Sequence, residues 1–306
     1  MHYGFDIGGS KIAFAVFDAE FRECERSLHA TPSRDYGAFV ALVVGLVEQA
    51  DARWGGRGRV GLGFPGVLDT ASRILAPNVP AIHGRNLLED LSLRLGRPLV
   101  ADNDANCFLL SEYHQGAVAG AGLALALTLG TGVGGALIHQ GRLVDSRRGG
   151  CGEFGHGAVG AVLLRRYPTL PLFECGCGLS GCLETYVSGT GLSRLYQHDT
   201  GVRLGGRDIV AGWQRGDEAA SRCMALYLDI LAAGLGSLMV HLAPDAVVLG
   251  GGLSEYPWLY QELSARLPDW MMKGVAPAPL VAPLFGGDGG VRGAALLAIR
   301  DETAFS

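Results

Sequence analysis

The chain has 306 residues, 48% of them apolar, and a formal net charge of -5. That length accommodates two domains with sizeable cores, and the acidic balance argues against a nucleic-acid binder, which needs a basic footprint. Met1 runs straight into Tyr3-Gly4-Phe5-Asp6 with no charged-then-apolar leader, so a cytoplasmic protein is expected. Seven cysteines, an odd number, then read as reduced thiols or metal ligands rather than a disulfide framework.

In chain order, the first recognisable element is Asp6-Ile7-Gly8-Gly9-Ser10-Lys11, followed by Ile12-Ala13-Phe14-Ala15-Val16-Phe17. It reads as strand, glycine turn, strand. A helix is predicted over 36–54, then a strand at Val60–Phe64 that ends in Pro65-Gly66. Next come a strand at Leu99–Ala101 and a helix from about Ala105 to Tyr113. The run Ala117–Ile138 is apolar enough to raise a membrane crossing, but its many glycines favour two buried strands around a turn, and no membrane association is expected. That turn is Thr128-Leu129-Gly130-Thr131-Gly132-Val133-Gly134-Gly135, a second use of the first device. A long apolar helix follows near Ala219–Leu242. A strand at Ala246–Leu249 then runs into Gly250-Gly251-Gly252, and the tail from Gly293 to Ile299 has helical character.

Alternating strands and helices indicate α/β architecture. Two like hairpins far apart suggest two similar half-molecules facing one cleft. The split is placed near residue 117, giving domains 1–117 and 118–292, with a C-terminal helix over 293–306 packing back on the first.

Bare glycine turns present successive backbone N–H groups as a concave anion site, so both hairpins are candidate phosphate binders. Ser10, Lys11 and Thr131 add donors. Neither is a Walker loop or a Rossmann fingerprint, and either alone also reads as an ordinary tight hairpin. Asp102-Asn103-Asp104-Ala105-Asn106 lies between a strand and a helix. Asp102 or Asn103 is placed to cap that helix, and the surplus of polar groups suits a ligand at the strand's carboxyl end. Cys175, Cys177 and Cys182 are spaced to converge on one ion, with His156 as the candidate fourth ligand of a tetrahedral, structural zinc. Glu153 and Glu184 flank that loop and suit a hydroxyl-rich ligand, though each also reads as a solvated surface carboxylate.

Together these pieces resemble the ROK family of bacterial sugar kinases and sugar-responsive repressors. The match rests on Asp6–Lys11, Asn103-Asp104-Ala105, Gly130–Gly135, Gly152–His156, Cys175–Glu184 and Val247–Gly252, in the family's order along nearly the whole chain. Ser10 stands where Thr is usual, Ala136 where Gly is usual, and Gly157-Ala158-Val159 is less typical. The resemblance implies an actin-like, ribonuclease-H-like fold of two α/β domains around a central cleft. It also implies ATP with Mg2+, a structural zinc and a homodimer. Local text such as Asn78-Val79-Pro80-Ala81 and Gly286–Ala295 points, within the family, to transfer onto the 6-hydroxyl of N-acetylglucosamine.

By the same resemblance Asp104 is the general base and Asn103 a sugar ligand. Glu153, His156 and Glu184 line the sugar pocket, with Gly66 and Asn78 near the sugar or its acyl group. Asp6 orients hydrated Mg2+, Gly8, Gly9, Ser10, Lys11 and Gly130, Thr131, Gly132, Val133, Gly134 hold the phosphates, and Gly250, Gly251 and Gly252 lie against adenosine. Glucose, fructose and N-acetylmannosamine remain alternative substrates. A sugar-sensing regulator remains a second class, disfavoured because the first hairpin begins too near Met1 to leave room for a helix-turn-helix.

Overall fold

The computed structural model describes residues 1–144 and 152–300. The chain divides into two compact units. One is built on Met1–Ala119 and the segment from Leu284 on, the other on Gly120–Gly141 and Gly152–Pro283.

The first unit begins with β1 (His2–Ile7), β2 (Lys11–Phe17), β3 (Glu23–Ala30) and α1 (Tyr36–Trp54), then β4 (Arg59–Phe64). The short pair β5 (Val67–Leu68) and β6 (Ile74–Leu75) follows, then α2 (Leu87–Leu95), β7 (Leu99–Asn103) and α3 (Asp104–Tyr113). Its five-stranded sheet has the order β3-β2-β1-β4-β7, with β1 antiparallel to β2 and parallel to β4. Helix α1 starts where the Asp35 side chain accepts from the Ala38 N–H, and stops at Gly55, which takes φ 70°. Its apolar face (Phe39, Val40, Val43, Val47) is buried with Tyr3, Phe5 and Phe14 of the sheet.

The remaining elements are β8 (Leu123–Leu129), β9 (Val133–His139), β10 (Arg142–Leu143), α4 (Ala161–Arg166), α5 (Glu184–Val187) and α6 (Gly189–Thr200). Then come α7 (Gly206–Gln214), α8 (Glu218–Leu242), β11 (Ala246–Gly250), α9 (Pro257–Arg266), β12 (Leu280–Val281) and α10 (Gly289–Arg300). The second sheet runs β10-β9-β8-β11-β12, with β8 antiparallel to β9 and parallel to β11. That repeats the wiring of the first sheet, so the likeness of the two hairpins extends to the sheets around them. The apolar run at Ala117–Ile138 holds the β8–β9 hairpin, as expected from its glycines. Helix α8 has the length and apolarity to cross a bilayer. Its Met224, Tyr227, Leu231 and Leu235 are wholly buried in the core of the second unit.

Helix α10 belongs to the first unit, and residues 301–306 of the expected C-terminal helix lie outside the described residues. It sits on backbone rather than on side chains. A Cβ at Gly4 would fall 2.0 Å from the Val291 carbonyl, and one at Gly61 1.8 Å from that of Ala294. A Cβ at Gly293 would fall 1.7 Å from the Cys107 carbonyl on α3. The fully buried Glu112 of α3 accepts N–H bonds from Ala117 at 3.0 Å, Leu284 at 2.9 Å and Phe285 at 2.8 Å. Its carboxylate therefore ties the end of the first long segment to the start of the returning one.

Candidate functional site

The first hairpin turn is closed by the Gly8 N–H donating to the Lys11 carbonyl at 2.8 Å. Thr31 binds it twice: its hydroxyl donates to the Gly8 carbonyl at 2.7 Å and its N–H to the Ser10 carbonyl at 3.0 Å. Gly9, Ser10 and Lys11 are exposed. The backbone of Asn78 lies over this turn, where a Cβ on Gly9 would come 2.9 Å from the Asn78 carbonyl. The carboxylate of Asp6, one residue before the end of β1, accepts no hydrogen bond among the described residues. Its carboxyl is pushed up to about 6 by burial. Gly290, in the first turn of α10, leaves room for it, since a Cβ there would lie 2.5 Å from Asp6 Oδ2.

At the carboxyl end of β7 the expected polar cluster is present, and its internal division is clear. Asn103 is the cap of α3: its Oδ1 accepts from the Ala105 N–H at 2.8 Å and its Nδ2 donates to the Gly66 carbonyl at 2.9 Å. Asp102 braces the turn by accepting from the Asn103 N–H and the Asn106 amide. Asp104 opens the helix and accepts from the Ala105 N–H at 2.8 Å. Gly66 takes φ 148°, and a Cβ there would fall 2.2 Å from the Leu75 carbonyl. The fold thus joins Gly66, Asn103 and Asp104, while Asn78 is set against the first hairpin.

In the second unit the turn of β8–β9 has every carbonyl engaged. Gly132 accepts from the Gly130 N–H at 3.0 Å, Gly130 from the Gly189 N–H at 2.8 Å, and Thr131 from the Thr190 hydroxyl at 2.8 Å. The Val133 N–H donates to Glu184 Oε2 at 3.2 Å, and the Gly134 N–H to the Thr128 hydroxyl at 3.1 Å. At Gly132 a Cβ would stand 2.8 Å from Glu184 Oε2, so a side chain there would displace that carboxylate. The third glycine set, Gly250-Gly251-Gly252, closes β11. Gly251 takes φ 81°, and a Cβ on it would meet the Leu129 carbonyl at 2.4 Å.

His156, Cys175, Cys177 and Cys182 come together, with their ligand atoms all within 4.8 Å of one another. Cys175 Sγ lies 3.5 Å from His156 Nδ1, and Cys177 Sγ 3.6 Å from Cys182 Sγ. A tetrahedron with metal–sulfur bonds of about 2.3 Å has edges of about 3.8 Å, so the set fits a four-coordinate ion. Burial pushes Cys175 up to about 12 and also raises Cys182, while the Leu179 N–H at Cys177 lowers that thiol. A cation among them reverses the first two shifts, since metal binding selects the thiolate. The knuckle is held by the Cys175 N–H to Leu179 carbonyl bond at 2.8 Å and by Gly178, at φ 91°.

Both carboxylates expected to flank the knuckle do so. Glu153 Oε2 lies 3.6 Å from His156 Nε2, and burial raises its carboxyl. Glu184 Oε1 lies 3.3 Å from Cys175 Sγ, while its Oε2 reaches the second hairpin. Gly155 permits this layering, because a Cβ there would strike the Val133 carbonyl at 2.6 Å. Thr31 and Thr190 were not legible as site residues. Each meets its hairpin across a sequence distance, and no spacing rule flags an isolated threonine.

Relatives extend the picture over the whole chain. N-acetyl-D-glucosamine kinases of Salmonella newport strain SL254 and Salmonella typhimurium strain LT2 are each 45% identical over 305 residues, covering 98% of this chain and 100% of theirs. A ROK hexokinase from Thermus thermophilus superposes with a TM-score of 0.86 at 32% identity, covering 99% of both chains. A ROK family glucokinase from Streptomyces griseus, in complex with glucose and AMPPNP, gives 0.78 at 30% identity, covering 98% of this chain and 99% of that one. The ROK family pattern itself matches residues 2–301. With a match of that length and a fold shared with those kinases, the chain belongs to the ROK family and has its actin-like ATPase fold.

Proposed function

We propose that the chain phosphorylates N-acetyl-D-glucosamine on its 6-hydroxyl with MgATP as donor, forming N-acetyl-D-glucosamine 6-phosphate and ADP. The observation that carries the reading is the 45% identity, over effectively full length, to relatives named for that activity. The geometry is compatible with it. Phosphoryl transfer asks little covalent chemistry of a protein and much positioning.

Asp104 takes the proton of the attacking hydroxyl; it stands at the carboxyl end of a parallel strand, where open α/β sheets bind ligands. Asn103 keeps one amide hydrogen beyond its bond to Gly66, and Gly66 and Asn78 are assigned to the sugar or its acyl group. From the second unit, Glu153, His156 and Glu184 bind sugar hydroxyls. Gly8, Gly9, Ser10 and Lys11, with Gly130, Thr131, Gly132, Val133 and Gly134, bind the nucleotide phosphates, and Gly250–Gly252 the adenosine. MgATP supplies the transferable phosphoryl group and the countercharge to it. Asp6 is the carboxylate assigned to the cation's water shell. His156, Cys175, Cys177 and Cys182 are assigned to a structural zinc, since four protein ligands leave no open position for chemistry. A cytoplasmic homodimer completes the reading.

The test is ADP release from ATP against a sugar panel, ranked by kcat/KM. N-acetylglucosamine is expected to lead glucose by about 10-fold or more, because a site built to pair an acetamido group leaves its own polar atoms unpaired with glucose. Equal or better use of glucose, fructose or N-acetylmannosamine moves the assignment to that sugar. No sugar-dependent ADP release moves it to a sugar-sensing protein.

A further inference from the structure

The two glycine turns share a feature that their glycines do not explain. In each, a threonine hydroxyl of the same unit binds a turn carbonyl from outside the turn. In the first turn, Gly8 and Ser10 give both carbonyls to Thr31. In the second, Gly130 gives its carbonyl to the Gly189 N–H, Thr131 to the Thr190 hydroxyl, and Gly132 to the Gly130 N–H. The N–H groups of Gly9 and Ser10, and those of Thr131 and Gly132, have no acceptor among the described residues. At the tip of each turn two adjacent N–H groups are thus left without an acceptor among the described residues, while carbonyls beside them are tied back. An anion needs that arrangement, because a carbonyl flipped toward a phosphate repels it as strongly as an N–H attracts it.

One threonine hydroxyl does this in each unit, by the same chemistry and from unrelated positions. Thr31 follows β3, and Thr190 lies in the first turn of α6. Thr190 is itself oriented, since its hydroxyl lies 2.9 Å from that of Ser188, the cap of the helix, which accepts from the Gly191 N–H at 2.9 Å. Neither threonine touches the metal cluster or the polar group at Asn103 through any hydrogen bond among the described residues.

We propose that Thr31 and Thr190 are positioning residues that hold the two turns with their amides presented to the phosphates of the nucleotide. The proposal rests on the phosphate role given to the hairpins under the proposed function. Removing either hydroxyl leaves its carbonyl free to swing outward and weakens nucleotide binding, with the sugar side unaffected.

The experiment compares Thr31→Val and Thr190→Val, which keep shape and lose the hydroxyl, with Thr31→Ser and Thr190→Ser, which keep it. Dissociation constants for MgADP are measured by calorimetry, and KM for ATP and for N-acetylglucosamine by ADP release. Each Val variant is expected to weaken MgADP and raise KM for ATP by about 3- to 10-fold, the value of one hydrogen bond. The sugar KM and the metal content stay near the parent's, and each Ser variant returns within about twofold. The double Val variant multiplies the two losses, because the pairs share no partner. Nucleotide constants within about twofold of the parent in both Val variants overturn the proposal, as does a Ser variant that fails to restore binding. Gly130→Ala separates this from failure of the phosphate reading itself. A methyl there meets nothing within 4 Å in the protein, yet projects from the turn. If Gly130→Ala leaves MgADP binding intact, the second hairpin is not a phosphate site. If it weakens binding while Thr190→Val does not, the threonine role alone is wrong.

Discussion

Asp6 sets function against stability in a way that a pH series can measure. Burial holds its carboxyl at about 6 against the ordinary 3.8. Below about pH 4 the group is neutral in folded and unfolded chains alike and contributes nothing. Between about 4 and 6 the unfolded chain has released the proton while the folded one retains it, so stability falls as pH rises. Above about 6 both are ionised and the whole cost of a buried carboxylate is present. A shift of about two units corresponds to about 3 kcal/mol, and partial solvent access with the nearby start of α10 reduces the expected figure to about 1–3 kcal/mol. Asp6→Asn removes the charge and keeps the shape. The variant is expected to match the parent near pH 4, to exceed it by that amount near pH 8, and to lose activity. Urea unfolding of ligand-free protein at several pH values gives the difference. Saturating MgADP should stabilise the parent more than the variant, because a cation favours the ionised form. A parent–variant difference independent of pH, or a variant less stable than the parent at pH 8, refutes the reasoning.

Other substitutions test the remaining assignments. Asp104→Asn is expected to lower kcat by about 10²- to 10⁴-fold while KM moves far less, because the amide keeps a sugar contact and has no useful basicity. Since Asn103 already caps α3, no capping loss masks the result, and kcat within about threefold of the parent removes Asp104 from the role of base. Cys177→Ser is expected to lose the metal, measured by elemental analysis, and to raise the sugar KM through Glu184 and Glu153; active protein without zinc ends that assignment. Glu112→Ala leaves three backbone N–H groups without their acceptor and is expected to cost about 3 kcal/mol or more in urea unfolding; a loss under about 1 kcal/mol contradicts the clasp described above.

Local pattern was enough for much of this. Helix α1 runs over the predicted 36–54, since its apolar stripe is bounded by Asp35 and Gly55, residues with clear capping chemistry. Both hairpins, the strands before Asn103 and Gly250, and the cysteine–histidine cluster were legible for the same reason: short-range spacing carries them. Strand β3 was not. Its text Glu-Cys-Glu-Arg-Ser-Leu-His-Ala is polar because it is an edge strand, half exposed along its length. The start of α10 at Gly289-Gly290 was missed because glycines there mark room for Asp6 rather than a loop. Glu112 sits in the last turn of α3 like any surface glutamate, and only the returning chain at Leu284 reveals its work. Thr31 and Thr190 depend on pairings that spacing cannot encode.

The close seat of α10 on Gly4 and Gly61 has a consequence for synthesis on the ribosome. Those glycines carry no side chain to cover the strands they belong to, so before residue 289 is made the first sheet shows bare backbone and the apolar faces of β1 and β4. Domains made first usually fold first, yet here the first is finished last, after the whole of the second unit has been translated. The second unit draws its core from Gly120–Gly141 and Gly152–Pro283 and does not wait for the returning segment. A nascent chain stalled short of Leu284 therefore carries a complete second unit beside an unfinished first one, and that is the species a holdase chaperone has most reason to bind.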